Sequence, residues 1–374
     1  MKKNIVIMFG GASTEHDISI ASTFYVLKYV NEYLYNLFLV YVGKDNSLNL
    51  VENVRLLSEF QSLKKFNRVA LIDGALYVLT RRKYKKLSDV DAVLPIMHGV
   101  GSEDGTIDGY LKINNVARAT PNLETACIGM DKAVFKNCIS PFAPALNYVE
   151  VTEQSLDDIE KVIKEIERKI GFPCIVKPAR QGSSIGIEIC KNKENLQKTL
   201  KNCLKFDKKL IVEKYLSDFR EFNVALYSTV DRIKISEIEE PLVQKDMLSF
   251  EEKYLNFSGN ASKKSKQIPP KISKKLYTEI VTTAEKVYRN LDCNGVIRFD
   301  FIYDNIAKKL YVNEMNTIPG SLALYLFVPK GISEDEVVND LIIDAIRRRF
   351  LEKNNRTDFK SDVLKLTNIN KFEK

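Results

Sequence analysis

Apolar positions along the chain alternate between short continuous runs and helical spacing. Near the amino terminus, KNIVIMFGGAST (residues 3–14) carries an unbroken apolar run from Ile5 to Phe9, stopped by two glycines. A run of that length ending at glycine reads as a buried strand that stops in a Gly-Gly turn. Ile20, Phe24, Leu27 and Val30 then recur at three- and four-residue spacing, which predicts a helix packing on that strand. LFLVYVG (37–43) and DAVLPIMHG (91–99) read as further strands, each ending at glycine. Strand, helix, strand with glycine turns at the strand ends predicts an open α/β domain over residues 1–120. Such sheets bind ligands at the carboxyl ends of their strands.

Further along, SLDDIEKVIKEIERKIGFP (155–173) predicts a helix capped by Ser155, with Asp157 and Asp158 at its positive start. Leu156, Ile159, Val162, Ile163 and Ile166 form its apolar stripe, and Gly171 stops it. PCIVK (173–177) and SSIGIEIC (183–190) read as strands joined by PARQGS, and KKLIVEKYL (208–216) and REFNVALYS (220–228) as two more. The polar, lysine-rich stretch 244–270 is too long for a simple connection and reads as a lid or ordered functional loop. A helix over 271–290, strands GVIRFDFIY (295–303) and KLYVNEMN (309–316), and a helix over 334–350 complete the pattern; residues 354–374 are polar and peripheral.

Length and charge narrow this picture. The chain has 374 residues, too many for one ordinary core, which suggests two or three domains. It is 45% hydrophobic and 28% charged, the balance of a folded globular protein. The net charge of +8 suits an anionic small ligand such as a nucleotide. Nucleic acid is a weaker reading, because RRKYKK (81–86) is more simply a solvated loop or hairpin than part of one basic face. The six cysteines include no C-x-x-C pair and read as reduced, packed thiols of a cytoplasmic protein. The first apolar run is too short for a signal-peptide core, and no 18-residue apolar stretch exists.

Candidate chemistry gathers at strand ends. Asp300 lies in IRFDF, and Glu314 and Asn316 lie two apart in YVNEMN, so the latter two share one face. If the two strands pair, all three meet at one end. Oxygen-only donors suit Mg²⁺, which keeps waters and takes phosphate oxygens as further ligands; the alternative is ordinary polar positions on a half-buried strand. In KPARQGSSIG (177–186), small residues let backbone N–H groups approach phosphate oxygens, with Lys177 at the start of the loop. It matches neither the Walker A pattern nor G-x-G-x-x-G, and a plain hairpin turn stays open. His16 and His98 are the only histidines, and both sit in glycine-rich loops at strand ends, where a site role and a structural role are both open. Zinc lacks a third ligand at suitable spacing, and a serine hydrolase lacks G-x-S-x-G.

Taken in order, GGASTEHDIS, HGVGSEDGTIDG, GMDKAVFK, PCIVKPARQGSSIGI, LIVEKYLSDFREFNVAL, FEEKY, VIRFDF and VNEMNTIPG make the chain resemble the D-alanine–D-alanine ligases of the ATP-grasp superfamily, from Ile5 to about Ile346. The resemblance implies an ATP-grasp fold behind an N-terminal Rossmann-like domain: 1–120 as the N-terminal α/β domain, 121–214 as the central domain, 215–350 as the C-terminal domain with the lid 244–270, and 351–374 as a tail. ATP would lie between the latter two domains. The implied reaction joins two D-alanines with ATP through an acyl phosphate, for peptidoglycan precursors in the cytoplasm. It involves no nucleic acid or membrane, and the enzyme would be a homodimer.

Residue by residue, Asp300, Glu314 and Asn316 match the ligands of two Mg²⁺ ions, with Mn²⁺ as a substitute. Lys132, Lys177 and Lys253 match phosphate-contacting lysines. Glu213, Lys214, Tyr215 and Leu216 fall where adenine is held, and Glu221 where the ribose hydroxyls are bound. Arg298 and the backbone N–H of Gly320 match the groups that stabilise the oxyanion of the tetrahedral intermediate. Glu15 matches the anchor of the first substrate's ammonium, Ser183 and Tyr254 its hydrogen-bonded partners, and His98 a substrate-side histidine. One stretch departs from the family. GSLALYLFVP (320–329) replaces a Thr/Ser-rich run, and Tyr325 or Leu326 stands where a serine would bind the second D-alanine's carboxylate. Either Ser321 or the Tyr325 hydroxyl replaces that donor, or a different acceptor is used. The competing readings are a related ATP-grasp ligase with another acceptor, and a regulatory nucleotide binder with a dead site. The intact Asp300, Glu314, Asn316 and Arg298 argue against the second.

Overall fold

The structure is a computed structural model that describes residues 2–182, 184–242 and 266–354. Its first sheet is built around β1 (Lys3–Gly10), the apolar run of the amino terminus. After β1 come α1 (His16–Val26) and β2 (Tyr35–Val42), which runs parallel to β1. An antiparallel extension follows: β3 (Leu48–Val51), β4 (Asn67–Ile72), β5 (Ala75–Leu79) and β6 (Tyr84–Asp89), with the short α2 (Leu57–Ser62) between β3 and β4. β7 (Ala92–Ile96), α3 (Thr106–Ile113) and β8 (Ala117–Arg118) return to the parallel side. The strand order is β6-β5-β4-β3-β2-β1-β7-β8. Ile5, Ile7 and Phe9 enter one core, whereas Val6 and Met8 enter another on the opposite face. That two-sided burial explains why β1 shows no alternation. The RRKYKK segment is a hairpin tip running into the exposed edge strand β6.

A second sheet follows α4 (Leu123–Met130) and α5 (Lys132–Ile139). β9 (Tyr148–Thr152), α6 (Ile159–Lys169), β10 (Cys174–Pro178), β11 (Glu188–Cys190), α7 (Lys193–Cys203) and β12 (Lys209–Lys214) give the order β11-β10-β12-β9. The predicted cap of α6 is corrected. Gln154–Asp158 forms a 3₁₀ turn, the Ser155 hydroxyl accepts from the Thr152 amide at 3.0 Å, and Asp158 caps the helix by accepting from the Lys161 amide. Of the described residues of SSIGIEIC, only Glu188–Cys190 are strand; Ser184 (φ 62°) and Gly186 (φ 71°) lie in a left-handed turn before it.

The third sheet has the order β14 (Ile233–Ile235), β13 (Phe219–Ser228), β17 (Val296–Asp304), β18 (Lys309–Asn316). β13 and β14 are followed by a two-stranded ladder of β15 (Glu240–Pro241) and β16 (Lys266–Gln267). Then come α8 (Lys274–Asn290), capped by Ser273, β17, β18 and α9 (Glu334–Lys353). α9 packs back toward the first sheet. Val337, Val338, Leu341 and Ile342 share one core with Ile5 and Phe9, and Tyr35 donates its hydroxyl to Asn339. Arg118 on β8 pairs with Asp108 at 2.8 Å and with Glu352 at 2.7 Å. The first and third sheets are therefore joined by apolar burial and by a charge cluster in which Arg118 and Asp108 are buried and Glu352 is exposed.

Candidate active site

Antiparallel pairing of β17 and β18 sets Asp300 opposite Glu314 and Arg298 opposite Asn316. Arg298 grips Asp300 with two bonds, Nε to Oδ1 at 2.7 Å and Nη2 to Oδ2 at 2.8 Å, and Asn316 Nδ2 donates to Asp300 Oδ2 at 3.0 Å. Burial would weaken the Arg298 charge, but Asp300 more than offsets it and pushes the guanidinium up. With Nδ2 given to Asp300, the Asn316 amide oxygen and the Asp300 and Glu314 carboxylates are the oxygen donors that could hold a cation at this strand end. This donor set fits Mg²⁺. Among the described residues no cluster of three His, Cys, Asp or Glu side chains forms a metal site, so any metal end rests on two carboxylates and one amide. Gly129, in GMDKAVFK, lets α4 approach this strand end closely. A Cβ there would meet Met315 Cε and Thr317 Cγ2 at 2.7 Å.

Lys132 sits nearby, 3.8 Å from Glu314 Oε2, and donates to the Gln181 carbonyl at 2.6 Å. The Lys132 amide also bonds to the Ala179 carbonyl, so α5 and the loop 178–186 hold each other. Deeper lies a three-membered ionic cluster. Glu213 is fully buried and pairs with Lys177 and with Lys136, each at 2.7 Å. Burial alone would raise the Glu213 carboxyl; the two ammoniums together hold it down at about 2. Burial pulls Lys136 below its ordinary value, whereas Glu213 lifts Lys177 against the same penalty. Two lysines thus share one buried carboxylate.

The loop 178–186 also crosses to the first sheet. A Cβ on Gly182 would lie 3.6 Å from both Glu15 carboxylate oxygens, and one on Gly99 would lie 3.1 Å from Glu15 Oε2. Glu15 is thus held between two glycine loops and is 6% exposed. His98 is equally enclosed. Its Nδ1 donates to the Ile318 carbonyl at 2.8 Å, its Nε2 lies 2.9 Å from the Ser22 hydroxyl, and Ser22 Oγ accepts from the Ser321 amide at 3.2 Å. The histidine therefore ties the first sheet to the Pro319-Gly320 turn through both ring nitrogens. His16 has a purely local role, bonding to the Gly11 carbonyl at 2.6 Å and to the Tyr41 hydroxyl at 3.1 Å.

Family models described as "D-ala D-ala ligase N-terminus" and "D-ala D-ala ligase C-terminus" match residues 4–119 and 143–343. The D-alanine–D-alanine ligase of Thermosipho melanesiensis is 32% identical over 349 residues, covering 92% of this chain and 94% of that one. The D-alanine–D-alanine ligase of Clostridium acetobutylicum is 33% identical, covering 93% and 99%.

The chain belongs to the D-alanine–D-alanine ligase family.

Its fold is the ATP-grasp fold with an N-terminal α/β domain. The solved VanG D-Ala:D-Ser ligase from Enterococcus faecalis superposes with a TM-score of 0.79 at 23% identity, covering 92% of this chain and all of that one. Ligases of this family depend on ATP and generally use Mg²⁺. In this ligase the expected phosphate lysines Lys132 and Lys177 stand at the same end of the second sheet, whereas Lys253, Tyr254 and Ser183 lie outside the described residues. Lys214, Tyr215 and Leu216 follow Glu213 at the end of β12, and the Tyr215 amide is bonded to the Pro173 carbonyl. Glu221 lies on β13 opposite Ile302 of β17. The Glu213 side chain reaches the lysines and no open surface, so at this position only backbone is presented outward. Ser321 is buried and its hydroxyl finds no partner among the described residues, while the Tyr325 hydroxyl donates to Glu239 at 2.8 Å. Lys136 was not legible as a site residue, since a lysine on a short helix reads as solvated; its position four residues after Lys132 was the available signal. No described helix is long and apolar enough to cross a membrane.

Proposed function

We propose that this protein joins two D-alanines into D-alanyl-D-alanine at the expense of ATP, in the cytoplasm, for peptidoglycan precursors. The carboxylate of the first D-alanine attacks the γ-phosphate, forming an acyl phosphate and ADP. The amine of the second attacks the acyl carbon, and phosphate leaves. The single observation that carries this reading is the β17–β18 register, which gathers Arg298, Asp300, Glu314 and Asn316 at the strand end leading into the Gly320 turn.

Each residue then has a chemical task. Lys132 and Lys177 meet phosphate oxygens, with the Lys177 ammonium held in place by Glu213. Lys214, Tyr215 and Leu216 hold adenine, with Glu213 acting through β12 backbone and the lysines, and Glu221 binds the ribose. Glu15 receives the first ammonium, with Ser183 and Tyr254 as partners, and Lys253 adds a phosphate contact. Arg298 and the Gly320 N–H stabilise the oxyanion of the tetrahedral intermediate. Asp300, Glu314 and Asn316 would hold Mg²⁺, which offsets the negative charge that builds between carboxylate and phosphate. His98 acts by holding the Ile318–Ser321 turn.

The second reading, a different acceptor, is favoured by one observation: the two hydroxyls expected at the acceptor end, those of Ser321 and Tyr325, are respectively buried and already donated to Glu239. Phosphate release with ATP, Mg²⁺ and a panel of D- and L-amino acids, with products read by mass spectrometry, tests both. D-Alanine at the N-terminal position of the product is expected. A product without it rejects the donor assignment.

A further inference from the structure

The polar row at the strand end continues past Asp300. Asn223 of β13 stands in register with Asp300 on one side and exchanges two backbone bonds with Glu239 on the other, at 2.8 and 2.9 Å. Glu239, 6% exposed, accepts the Tyr325 hydroxyl on Oε2 at 2.8 Å. Lys266 Nζ lies 3.6 Å from that same oxygen and 3.8 Å above the centre of the Tyr325 ring. Tyr325 belongs to the Gly320–Leu326 segment that begins at the turn. A carboxylate, a phenol and an ammonium therefore form one cluster between the turn and the Asp300 strand end.

The cations around this end differ in how fully they are engaged. Arg298 holds Asp300 with two bonds, Lys136 and Lys177 hold Glu213 at 2.7 Å, and Lys132 bonds to the Gln181 carbonyl at 2.6 Å. Among the described residues, Lys266 has one ion pair, a long one with Glu239, beyond the 2.7–2.9 Å of a charge-assisted bond. Its side chain is 42% exposed, and its inner side is held by the aromatic face.

This inference rests on the ligase reading. The acceptor amine must reach a carbonyl held between Arg298 and the Gly320 N–H. In an α-amino acid the carboxylate stands one carbon from that amine, so it enters the region of this cluster, and an unpaired charge there is costly. The Tyr325 hydroxyl is spent on Glu239. Burial and Glu239 also raise its pKa well above the ordinary tyrosine value, so it stays a donor to that carboxylate. Ser321 is buried. We propose that Lys266 is the specificity-determining residue for the acceptor: its ammonium, seated on Tyr325 and oriented by Glu239, receives the carboxylate of the second amino acid.

The test uses the full chain with ATP, Mg²⁺ and D-alanine, to which D-alaninamide is added as a competing acceptor with the same amine and methyl group but no carboxylate. Mass spectrometry gives the partition between D-Ala-D-Ala and D-Ala-D-alaninamide. Lys266→Met is expected to lower that partition at least tenfold, Lys266→Glu to lower it further, and Lys266→Arg to restore it to within about threefold of the parent. An unchanged partition in both Lys266→Met and Lys266→Glu overturns the proposal while leaving the ligase reading intact. A parent protein that makes neither product rejects the ligase reading, and this inference falls with it.

Discussion

Glu213→Gln is the sharpest probe of how this site is held together. The carboxylate is fully buried between two ammoniums at 2.7 Å, and its pKa falls from an ordinary 4.5 to about 2. That difference corresponds to about 3 kcal/mol of folded-state preference for the anion. It agrees with the roughly 3–5 kcal/mol lost when one partner of a buried ion cluster is removed. The glutamine keeps the shape but leaves Lys136 and Lys177 facing each other without a counter-charge. For a cooperative unit of about 150–250 residues, about 3 kcal/mol corresponds to roughly 6–12 °C in Tm. Because the folded-state pKa is depressed, the stabilisation is fully present above the unfolded value near 4.5 and is lost as pH falls toward about 2. Urea or thermal denaturation of the parent and the variant should therefore show a constant gap from pH 8 to pH 5 that narrows below pH 4.5. A variant as stable as the parent at pH 7, or a gap that widens with acid, would refute the argument.

Glu314→Gln, nearly isosteric at the proposed metal end, should abolish most phosphate release with an unchanged circular dichroism spectrum; near-normal turnover at ordinary Mg²⁺ would reject the assignment. Gly129→Ala puts a methyl 2.7 Å from Met315 Cε and Thr317 Cγ2 and should cost roughly 1–3 kcal/mol in urea denaturation. Ser22→Ala removes the acceptor of the Ser321 amide and the partner of His98 Nε2. About 1 kcal/mol lost from the turn should appear as a roughly fivefold fall in kcat with little change in KM for ATP; the reverse pattern would make the turn a binding element instead.

The strands were legible because burial writes itself into pattern. β1 and β7 are unbroken apolar runs, and they are central strands covered on both faces. The candidate site was read from motif order, and the hairpin expected of the two adjacent strands is present, with Asp300 opposite Glu314. The antiparallel extension β3–β6 was not, because it is half exposed and its sequence mixes lysine with β-branched and aromatic residues. Lys136 and Glu239 were also hidden. A charged residue is expected outside, and only the partner across space reveals why it is buried. The Ser155 cap failed for a local reason: Thr152 bonds to the same serine, so the chain makes a 3₁₀ turn before Asp158 starts the helix.

The apolar run after Gly320 has a structural explanation that no periodicity would suggest. Ser321, Leu322 and Ala323 all adopt left-handed backbone, with φ of 49°, 54° and 49°. For side-chain-bearing residues this costs roughly 1–2 kcal/mol each, or roughly 3–6 kcal/mol for the three. Leu322, Leu324, Leu326 and Phe327 are each 4% exposed or less, in the core shared by the first sheet and α9. At roughly 1.5–3 kcal/mol for each fully buried side chain, their burial contributes roughly 6–12 kcal/mol, enough to hold the strained turn. The leucines thus fix the Gly320 N–H relative to Arg298, and the same winding brings Tyr325 to Glu239 and Lys266. Leu324→Ala should therefore do two things at once. It should cost roughly 2–5 kcal/mol of stability, as a fully buried leucine does, and it should lower kcat beyond what the unfolded fraction explains. A variant that loses stability but keeps full turnover per folded molecule would show that the turn holds its shape without the core beneath it.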